Sequence, residues 1–356
     1  MALRFYGKNR MKVARALLKS TAVAILTLNI FAADFLFAQQ FETVFEDSTY
    51  QLTGVAVSES GRLFTNYPHW DGPYLDALVE IRDGKKVPYP DSTWSRHKFT
   101  SVQAVVIDEK DRMWVVEPRA KRIVRINIST DKVESIWALD SVVPGRGYLN
   151  DIRIDSKNEF AYITNSGEGG GLVVLDLKKS RARQVLRDRD CVLADSSYVF
   201  KSGSKPLINR GKPYRANSDG IALSKDLKFI YFKALTDDRL FRIPTSALKN
   251  FSLSDDALEK LVEFLGRFTT SDGIEFDDAG NLYLGDLENR RIVKITPQLQ
   301  MVEIKASREL FPWPDSYAFR NGYLYISCSR IDDEPKYHDG APVPGPYKIM
   351  RFKPGE

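Results

Sequence analysis

The chain has 356 residues and a formal net charge of +5, with 43% hydrophobic and 28% charged residues. This composition is typical of a folded globular protein and excludes general disorder. Two cysteines exclude a disulfide-rich scaffold and a zinc finger built from CxxC pairs, and three histidines in no HxxxH spacing disfavour a histidine-rich metal site.

The positive charge is concentrated at the N-terminus. Residues 1–38 hold six basic side chains against one acidic side chain, so the rest of the chain is about neutral. A surface that binds phosphates needs basic side chains on the folded part of the protein. We therefore exclude nucleic acid as a partner.

Residues 1–38 have the order of a secretory leader, because the basic segment is followed by an apolar stretch at residues 21–33. This stretch is short for a membrane span. We expect a signal peptide that is cleaved after Ala33 or Ala38, and a secreted or periplasmic mature protein; the alternative is an uncleaved N-terminal anchor. No later segment is apolar enough to cross a bilayer, so we expect no membrane contact beyond the leader.

Residues 39–356 contain six related segments. Each begins with a polar residue followed two positions later by an apolar or aromatic one, then a turn, a strand with a central aromatic residue and, in most copies, a third strand of alternating polarity. We call the six polar residues the polar ring; they are Thr53, Gln103, Asn150, Asp219, Asp272 and Asp315. Their spacing of about 43 to 69 residues is in the range of propeller blades.

These segments predict a single all-β domain, a six-bladed β-propeller with four-stranded antiparallel blades. Residues 41–45 would supply the outer strand of the last blade and close the ring. Two stacked β-sandwiches would not explain the six-fold register. Only residues 245–265 have a pattern that favours helix.

The polar ring predicts a binding site, because the first strand of each propeller blade lines the central channel. Water in the channel would solvate such groups. Three converging carboxylates nevertheless repel one another unless a cation, a proton or a bound amine offsets their charge. We therefore predict that all six residues of the polar ring bind a small-molecule ligand at one mouth of the channel.

Loops that follow the second strands reach the same mouth and add Trp70, Glu117 and Lys233 as candidate ligand-binding residues. Two long connections, at residues 87–100 and 188–217, end on this face and are candidate lids. For Cys191 and Cys328, export would permit a disulfide, but two independent buried thiols are the favoured interpretation.

Several motifs resemble the major royal jelly protein/yellow family. They are residues 147–155, 219–224 and 231–236, together with Gly54-Val55-Ala56-Val57, Gly61-Arg62-Leu63-Phe64 and Trp313-Pro314-Asp315. The similarity extends over about residues 45–353 and is closest to bacterial-type members of the kind labelled dopachrome tautomerase-related. It implies a secreted six-bladed propeller, and some members of the family bind small amines.

A more distant resemblance is to the gluconolactonase/regucalcin propellers, which hold one divalent cation on a Glu, two Asn and an Asp. In this chain Asn150 and Asp272 match in kind, Asp219 stands at the second Asn, and Thr53 stands at the Glu. The resemblance implies Asn150, Asp219 and Asp272 as metal ligands, with calcium favoured by the oxygen donors.

Three functions follow as hypotheses. The first is binding of a small polar or cationic molecule, in which aromatic faces add cation–π attraction. The second is metal-dependent hydrolysis of a lactone or ester, with Asp219 or Asp272 acting as the base toward water. The third, a dopachrome-type tautomerase, is implied by the family resemblance alone.

Overall fold

The protein is described by a computed structural model that covers residues 41–70, 74–143, 145–203, 205–337 and 345–354. The predicted leader lies outside these residues. Six four-stranded antiparallel sheets form a six-bladed β-propeller, which confirms the predicted fold class. Within the described residues no helix has the length and apolar character needed to span a bilayer.

The first strand, β1 (Glu42–Asp47), belongs to the last blade, and the next twelve strands form blades 1 to 3 in chain order. These twelve strands are β2 (Ala56–Val57), β3 (Leu63–Asn66), β4 (Leu78–Arg82), β5 (Lys85–Pro88), β6 (Ala104–Ile107), β7 (Arg112–Glu117), β8 (Arg122–Asn127), β9 (Lys132–Ala138), β10 (Leu149–Asp155), β11 (Phe160–Asn165), β12 (Leu172–Asp176) and β13 (Arg181–Val185).

Two short hairpins interrupt the ring between blades 3 and 4. Their strands are β14 (Lys201–Ser202), β15 (Lys205–Pro206), β16 (Ile208–Asn209) and β17 (Lys212–Pro213). They lie within the predicted lid at residues 188–217.

Blades 4 to 6 complete the ring. Their strands are β18 (Ser218–Leu223), β19 (Phe229–Ala234), β20 (Arg239–Pro244), β21 (Glu263–Arg267), β22 (Ile274–Phe276), β23 (Leu282–Asp286), β24 (Arg291–Ile295), β25 (Met301–Ala306), β26 (Pro314–Arg320), β27 (Tyr323–Cys328) and β28 (Tyr347–Phe352). The helices α1 (Thr245–Lys249) and α2 (Asp255–Glu259) fall where the sequence predicts helix. Other helical turns are Trp94–Lys98, Ile331–Asp333 and Pro335–Tyr337.

The N-terminal strand closes the propeller, as predicted. β1 pairs antiparallel with β28, from Glu42 opposite Arg351 to Asp47 opposite Tyr347. The sixth sheet therefore has the order β1-β28-β27-β26, and its outer strand comes from the other end of the described chain. Pairing of the first strand with the last hides an edge that would otherwise be open.

Apolar clusters fill the spaces between blades. Blades 2 and 3 meet through Trp114, Val116, Ile152 and Ile163, all fully buried. The alternation of each strand explains this packing, because successive side chains point to opposite faces and each blade lies between two others. Cys191 and Cys328 are both buried and unpaired, in agreement with the expectation of separate thiols.

Candidate functional site

The polar ring lies where the inner strands depart from regular pairing. In blades 3, 4 and 6 the register between the first and second strands shifts at this point, between Leu149 and Ile152, Ser218 and Ile221, and Pro314 and Tyr317. A β-bulge turns side chains out of the regular alternation. The bulges thus free Asn150, Asp219 and Asp315 from the in-out pattern of their strands.

Two glycines allow the inner strands of blades 4 to 6 to approach closely. A Cβ on Gly220 would overlap the carbonyl oxygen of Asp272, and a Cβ on Gly273 would lie 2.6 Å from the carbonyl oxygen of Asp315. The Gly273 amide donates to that same oxygen at 2.7 Å. The Asp-Gly sequences of blades 4 and 5 therefore bring the aspartates of neighbouring blades together.

A chain of side-chain hydrogen bonds runs around the mouth from blade 1. The Trp70 indole donates to the Tyr148 hydroxyl at 3.0 Å, and that hydroxyl donates to Gln103 Oε1 at 2.6 Å. Gln103 Nε2 then donates to Asn150 Oδ1 at 3.2 Å. Each group accepts from one neighbour and donates to the next, which fixes the orientation of both amides.

The chain continues into two carboxyl groups. Asn150 Nδ2 donates to Asp219 Oδ2 at 2.6 Å, and the carboxyl group of Asp219 is hydrogen-bonded to that of Asp272. From the other side, Trp313 Nε1 donates to Asp272 Oδ2 at 2.8 Å. We call Asp219 and Asp272 the carboxylate pair. Hydrogen bonds from Trp313 and Asp219 lower the pKa of Asp272, whereas burial and Asp272 raise that of Asp219, so Asp272 is the more acidic member and Asp219 holds the shared proton.

Burial raises the pKa of all three aspartates at this mouth. The pKa of Asp219 lies well above its ordinary value because burial disfavours the anion and the charge of Asp272 adds to the effect. Burial raises the pKa of Asp272 to about 6, while hydrogen bonds from Trp313 and Asp219 oppose the shift. The pKa of Asp315 is also raised well above its ordinary value, first by burial and then by Asp272. Protons therefore offset part of the negative charge.

Trp313 is held over Asp272 by an unusual backbone. Its φ is 61°, in the left-handed region, where a bulky side chain is rare and strained. The indole is buried and packs edge-to-face on Phe200, with ring centroids 5.7 Å apart. Strain of this kind is commonly found at functional sites. Here it places a hydrogen-bond donor and an aromatic surface against the ionised carboxylate.

An aromatic roof covers the mouth. It belongs to one apolar cluster and consists of Trp70, Tyr198, Phe200, Tyr214, Trp313 and Tyr337. Three of these come from the predicted lid at residues 188–217. Burial raises the pKa of Tyr214, and Asp219 and Asp272 lie close enough to contribute, so the lid reaches the carboxylate pair.

The lid is tied to blade 5 by Glu288, whose carboxylate accepts from the Tyr198 hydroxyl and from the Lys201 amide at 2.9 Å. The other candidate lid, at residues 87–100, packs Trp94 and Phe99 into the cluster between blades 1 and 2 instead.

Four predicted ligand-binding residues, Thr53, Asp315, Glu117 and Lys233, lie outside the hydrogen-bond chain. The Thr53 hydroxyl accepts from Asn66 Nδ2 at 2.8 Å. The buried Glu117 carboxylate accepts from the Thr100 amide at 2.6 Å and pairs with Arg122, anchoring residues 87–100 to blade 2.

Lys233 is buried at the junction of blades 4 and 5, where its ammonium donates to the carbonyl oxygens of Ala234, Asp237 and Ser271 at 2.6, 3.0 and 3.4 Å. Burial lowers the pKa of Lys233 to about 8, against the attraction of Asp237 and Asp219. Its contacts join two blades next to the carboxylate pair.

The predicted metal ligands, Asn150 and the carboxylate pair, are in mutual contact. The two carboxylates provide oxygen donors that fit a hard cation such as calcium or magnesium. Asn150 directs its Nδ2 group to Asp219 and its oxygen to Gln103, so its amide would have to turn over to ligate the same cation. In the described part of the chain, no three or more His, Cys, Asp or Glu side chains are grouped closely enough to hold a metal ion. A cation here would therefore depend on the Asn150 amide as well as on the carboxylate pair.

Sequence reasoning missed two members of the hydrogen-bond chain, Tyr148 and Trp313. Both stand two residues before a member of the polar ring, Asn150 and Asp315 respectively. Both stand just before the first residue of the inner strand, so the repeated position of an aromatic residue two places before the ring was the available signal. It also missed Asp151, Arg153 and Glu275, which lie deeper in the channel.

The sequence matches a family model described as Major royal jelly protein over residues 100–308, which is more than half of the chain. No curated protein matches the sequence. The match includes four of the six members of the polar ring, from Gln103 to Asp272.

Solved propellers with low sequence identity share the fold. A luciferin-regenerating enzyme is 16% identical with a TM-score of 0.59, and the alignment covers 88% of this chain and 95% of that one. A gluconolactonase from Xanthomonas campestris is 12% identical with a TM-score of 0.56, covering 89% and 92%. A calcium-binding regucalcin from Agrobacterium tumefaciens is 13% identical with a TM-score of 0.56, covering 86% and 92%.

Proposed function

The chain belongs to the major royal jelly protein family, and on that premise we propose that it binds a small cationic molecule at the polar-ring mouth of its channel. The observation that carries this proposal is the carboxylate pair. Asp219, Asp272 and the neighbouring Asp315 are only 3%, 7% and 8% exposed, and all three have raised pKa values. The predicted leader would make the periplasm or the extracellular space the place of binding.

The positive charge of a ligand ammonium group would replace the shared proton that offsets negative charge in the free protein. It would offset the charge of Asp272 directly, and Asp219 would then ionise and release its proton. The aromatic roof adds attraction between ring faces and the cation, which is largest where water is excluded. The amides of Gln103 and Asn150 offer hydrogen bonds to polar groups elsewhere on the ligand.

The test is calorimetric titration with tyramine, using its uncharged analogue 2-(4-hydroxyphenyl)ethanol as the matched ligand. We expect tyramine to bind at least about tenfold more tightly, because only the amine meets the buried charge. Titrations at pH 7 in buffers of different ionisation enthalpy should show release of roughly one proton per ligand.

Asp272→Asn should weaken tyramine binding by about tenfold or more. Asp278→Asn removes an exposed carboxylate outside the polar ring and is the matched control, with no change expected. Equal binding of the alcohol and the amine, or binding with no proton release, would contradict the proposal. Circular dichroism of each variant separates a binding defect from unfolding.

Divalent-metal-dependent hydrolysis of a lactone or ester is the second candidate. It is favoured by the two adjoining carboxylates of Asp219 and Asp272 and by the likeness in fold to a gluconolactonase and a regucalcin. A bound cation would supply Lewis acidity toward an ester carbonyl. One carboxylate of the pair would accept a proton from water, and that proton would then pass to the leaving alkoxide.

Elemental analysis of the exported protein after dialysis without chelator tests this candidate. About one divalent ion per chain is expected, and Asp272→Ala should lose it together with any lactone hydrolysis. Asp278→Asn again serves as the charge-matched control and should retain the ion. A metal-free protein that still binds tyramine would exclude the hydrolase and leave the binding function.

A further inference from the structure

The lid at residues 188–217 lies between the carboxylate pair and solvent. Phe200 and Tyr214 of the lid belong to the aromatic roof, and the Phe200 ring packs on Trp313 beside Asp272. Under this roof Asp219 and Asp272 are only 3% and 7% exposed. An ammonium group that carries a larger body cannot reach both carboxylates from this mouth while the roof stays in place.

The two ends of the lid are fixed to the propeller. The Asn217 side chain accepts from the Ala194 amide at 3.0 Å and donates to the Gly167 carbonyl oxygen, in blade 3, at 2.7 Å. Arg239, in blade 4, donates to the Leu193 carbonyl oxygen at 2.8 Å. These contacts hold both ends of the lid together at the junction of blades 3 and 4, which is where a hinge would lie.

The middle of the lid is attached to blade 5 through Glu288. Its carboxylate accepts from the Tyr198 hydroxyl and, at 2.9 Å, from the Lys201 amide. One side chain of the propeller therefore holds the lid by two hydrogen bonds, one to a side chain of the roof and one to the backbone. Loss of this carboxylate releases both.

Ser202 attaches the lid to blade 6. Its hydroxyl donates to the carboxylate of Asp332, which forms a buried ion pair with Arg290 of blade 5. Arg290 Nη2 also lies 3.2 Å from the same hydroxyl, so Ser202 contacts both members of the pair. We call Glu288 and the Arg290–Asp332 pair the latch.

The closed latch is only partly favourable. Arg290 and Asp332 are 6% and 1% exposed, and no described residue accepts a hydrogen bond from Arg290 Nε or Nη1. Desolvation offsets much of the attraction in a buried ion pair, and a buried N–H group without an acceptor costs free energy. Because Ser202 covers the pair, movement of the lid admits water and recovers part of this cost. The lid is therefore poised to open.

We propose that the lid is a gate, which moves away from the latch to admit a ligand and then closes over it. This inference rests on the proposed binding function at the polar ring. It goes further in predicting that opening of the lid limits the rate of binding, because the ligand binds only to a minor, open state of the free protein. The closed lid then slows release of the bound ligand as well.

Stopped-flow mixing with tyramine tests the gate, with tryptophan fluorescence as the signal because Trp313 borders the site. The observed rate for the wild type should level off as the tyramine concentration rises, since opening then limits binding. Glu288→Ala should raise this ceiling at least about fivefold, because two hydrogen bonds of the closed lid are lost. Ser202→Ala, which leaves the Arg290–Asp332 pair intact, should raise it about twofold to fivefold.

The matched control is Glu303→Ala, in the outer strand of blade 5. This glutamate pairs with Arg291 at 2.9 Å and is 49% exposed, so no change in the ceiling is expected. The proposal is overturned if the wild-type rate rises without a ceiling, if Glu288→Ala leaves the ceiling unchanged, or if Glu303→Ala raises it equally. Tyramine binding at equilibrium would then still stand, so the gate can fail without the binding function.

Hydrogen exchange of the free proteins tests the gate without any ligand. The Leu207 and Tyr214 amides of the lid donate within the lid and not to Glu288. They should exchange at least about fivefold faster in Glu288→Ala than in the wild type or in Glu303→Ala, while the amides of β18 keep their rates. Unchanged lid exchange in Glu288→Ala would contradict a latch. If tyramine does not bind, the binding function fails, and this measurement still decides whether the latch holds the lid closed.

Discussion

Asp219 and Asp272 are the same type of residue with different roles, and the difference comes from their neighbours. Asp219 accepts from the Asn150 amide and donates its proton, whereas Asp272 accepts from Asp219 and from Trp313 at 2.8 Å. Hydrogen bonds to the ionised form lower a pKa and burial raises it. The pair therefore combines one acid and one base within hydrogen-bond distance of each other.

This assignment predicts how stability depends on pH. A carboxyl group whose pKa is raised on folding binds more protons in the folded state, so its contribution to stability is complete below its unfolded pKa and is lost as the pH rises through the folded pKa. For Asp272 that pKa is about 6, and for Asp219 it is raised further by burial and by Asp272.

Without a ligand, we expect the free energy of unfolding of the wild-type protein to fall between pH 5 and pH 7.5. The fall should exceed that of Asp219→Asn by on the order of 1–3 kcal/mol. The asparagine mimics the protonated aspartate and still donates to Asp272. Urea unfolding at the two pH values measures the difference. Asp278→Asn is the control and should show the same dependence of stability on pH as the wild type. Parallel pH profiles for the wild type and Asp219→Asn would contradict a shared proton.

At the scale of elements, β1 is the strand on which closure of the ring depends. The Phe45 side chain of this strand is buried. The Asp47 carboxylate accepts hydrogen bonds from the Lys86 ammonium at 2.6 Å and from the Tyr67 hydroxyl at 2.8 Å. Burial by itself would raise the pKa of Asp47, but Lys86, two backbone amides and Tyr67 together hold that pKa below its usual value. β1 therefore joins the last blade to the first through one ionised side chain.

We predict that Asp47→Ala lowers the free energy of unfolding by about 2–4 kcal/mol, because it leaves the Lys86 and Tyr67 partners unsatisfied. The matched control is Glu42→Ala on the same strand. Its carboxylate pairs with Arg351 at 2.8 Å but is 44% exposed, so a loss below about 1 kcal/mol is expected. Chemical denaturation at pH 7 measures both. Equal losses would mean that Asp47 adds nothing to closure beyond an ordinary surface pair.

The inner strands explain why some site residues were predictable and others were not. The alternation of side chains with a period of two along the first strands predicted that the polar ring faces the channel. The bulge after Asn150 breaks that period, and the residue three positions after the ring in blade 3, Arg153, then lines the channel. Alternation cannot predict where a bulge occurs, because a bulge depends on the register with the neighbouring strand.

At the scale of the whole molecule, the channel is divided into two chemically different ends. The polar-ring end has buried acids under an aromatic roof, and the other end is a cavity with both apolar and charged walls that reaches Arg153. Arg153 extends from blade 3 to blade 5 between the two ends.

The fold was determined by the sequence itself, because it depends on local and repeated features. Alternation along each strand, the register of six copies and the Asp-Gly pairs of blades 4 and 5 are all present in the printed residues. Only the tertiary structure decided which of the acids share a proton, that Trp313 and Tyr148 complete the hydrogen-bond chain, and that Thr53 and Glu117 hold other partners. These outcomes depend on contacts between residues from different blades, and on burial that no single strand produces.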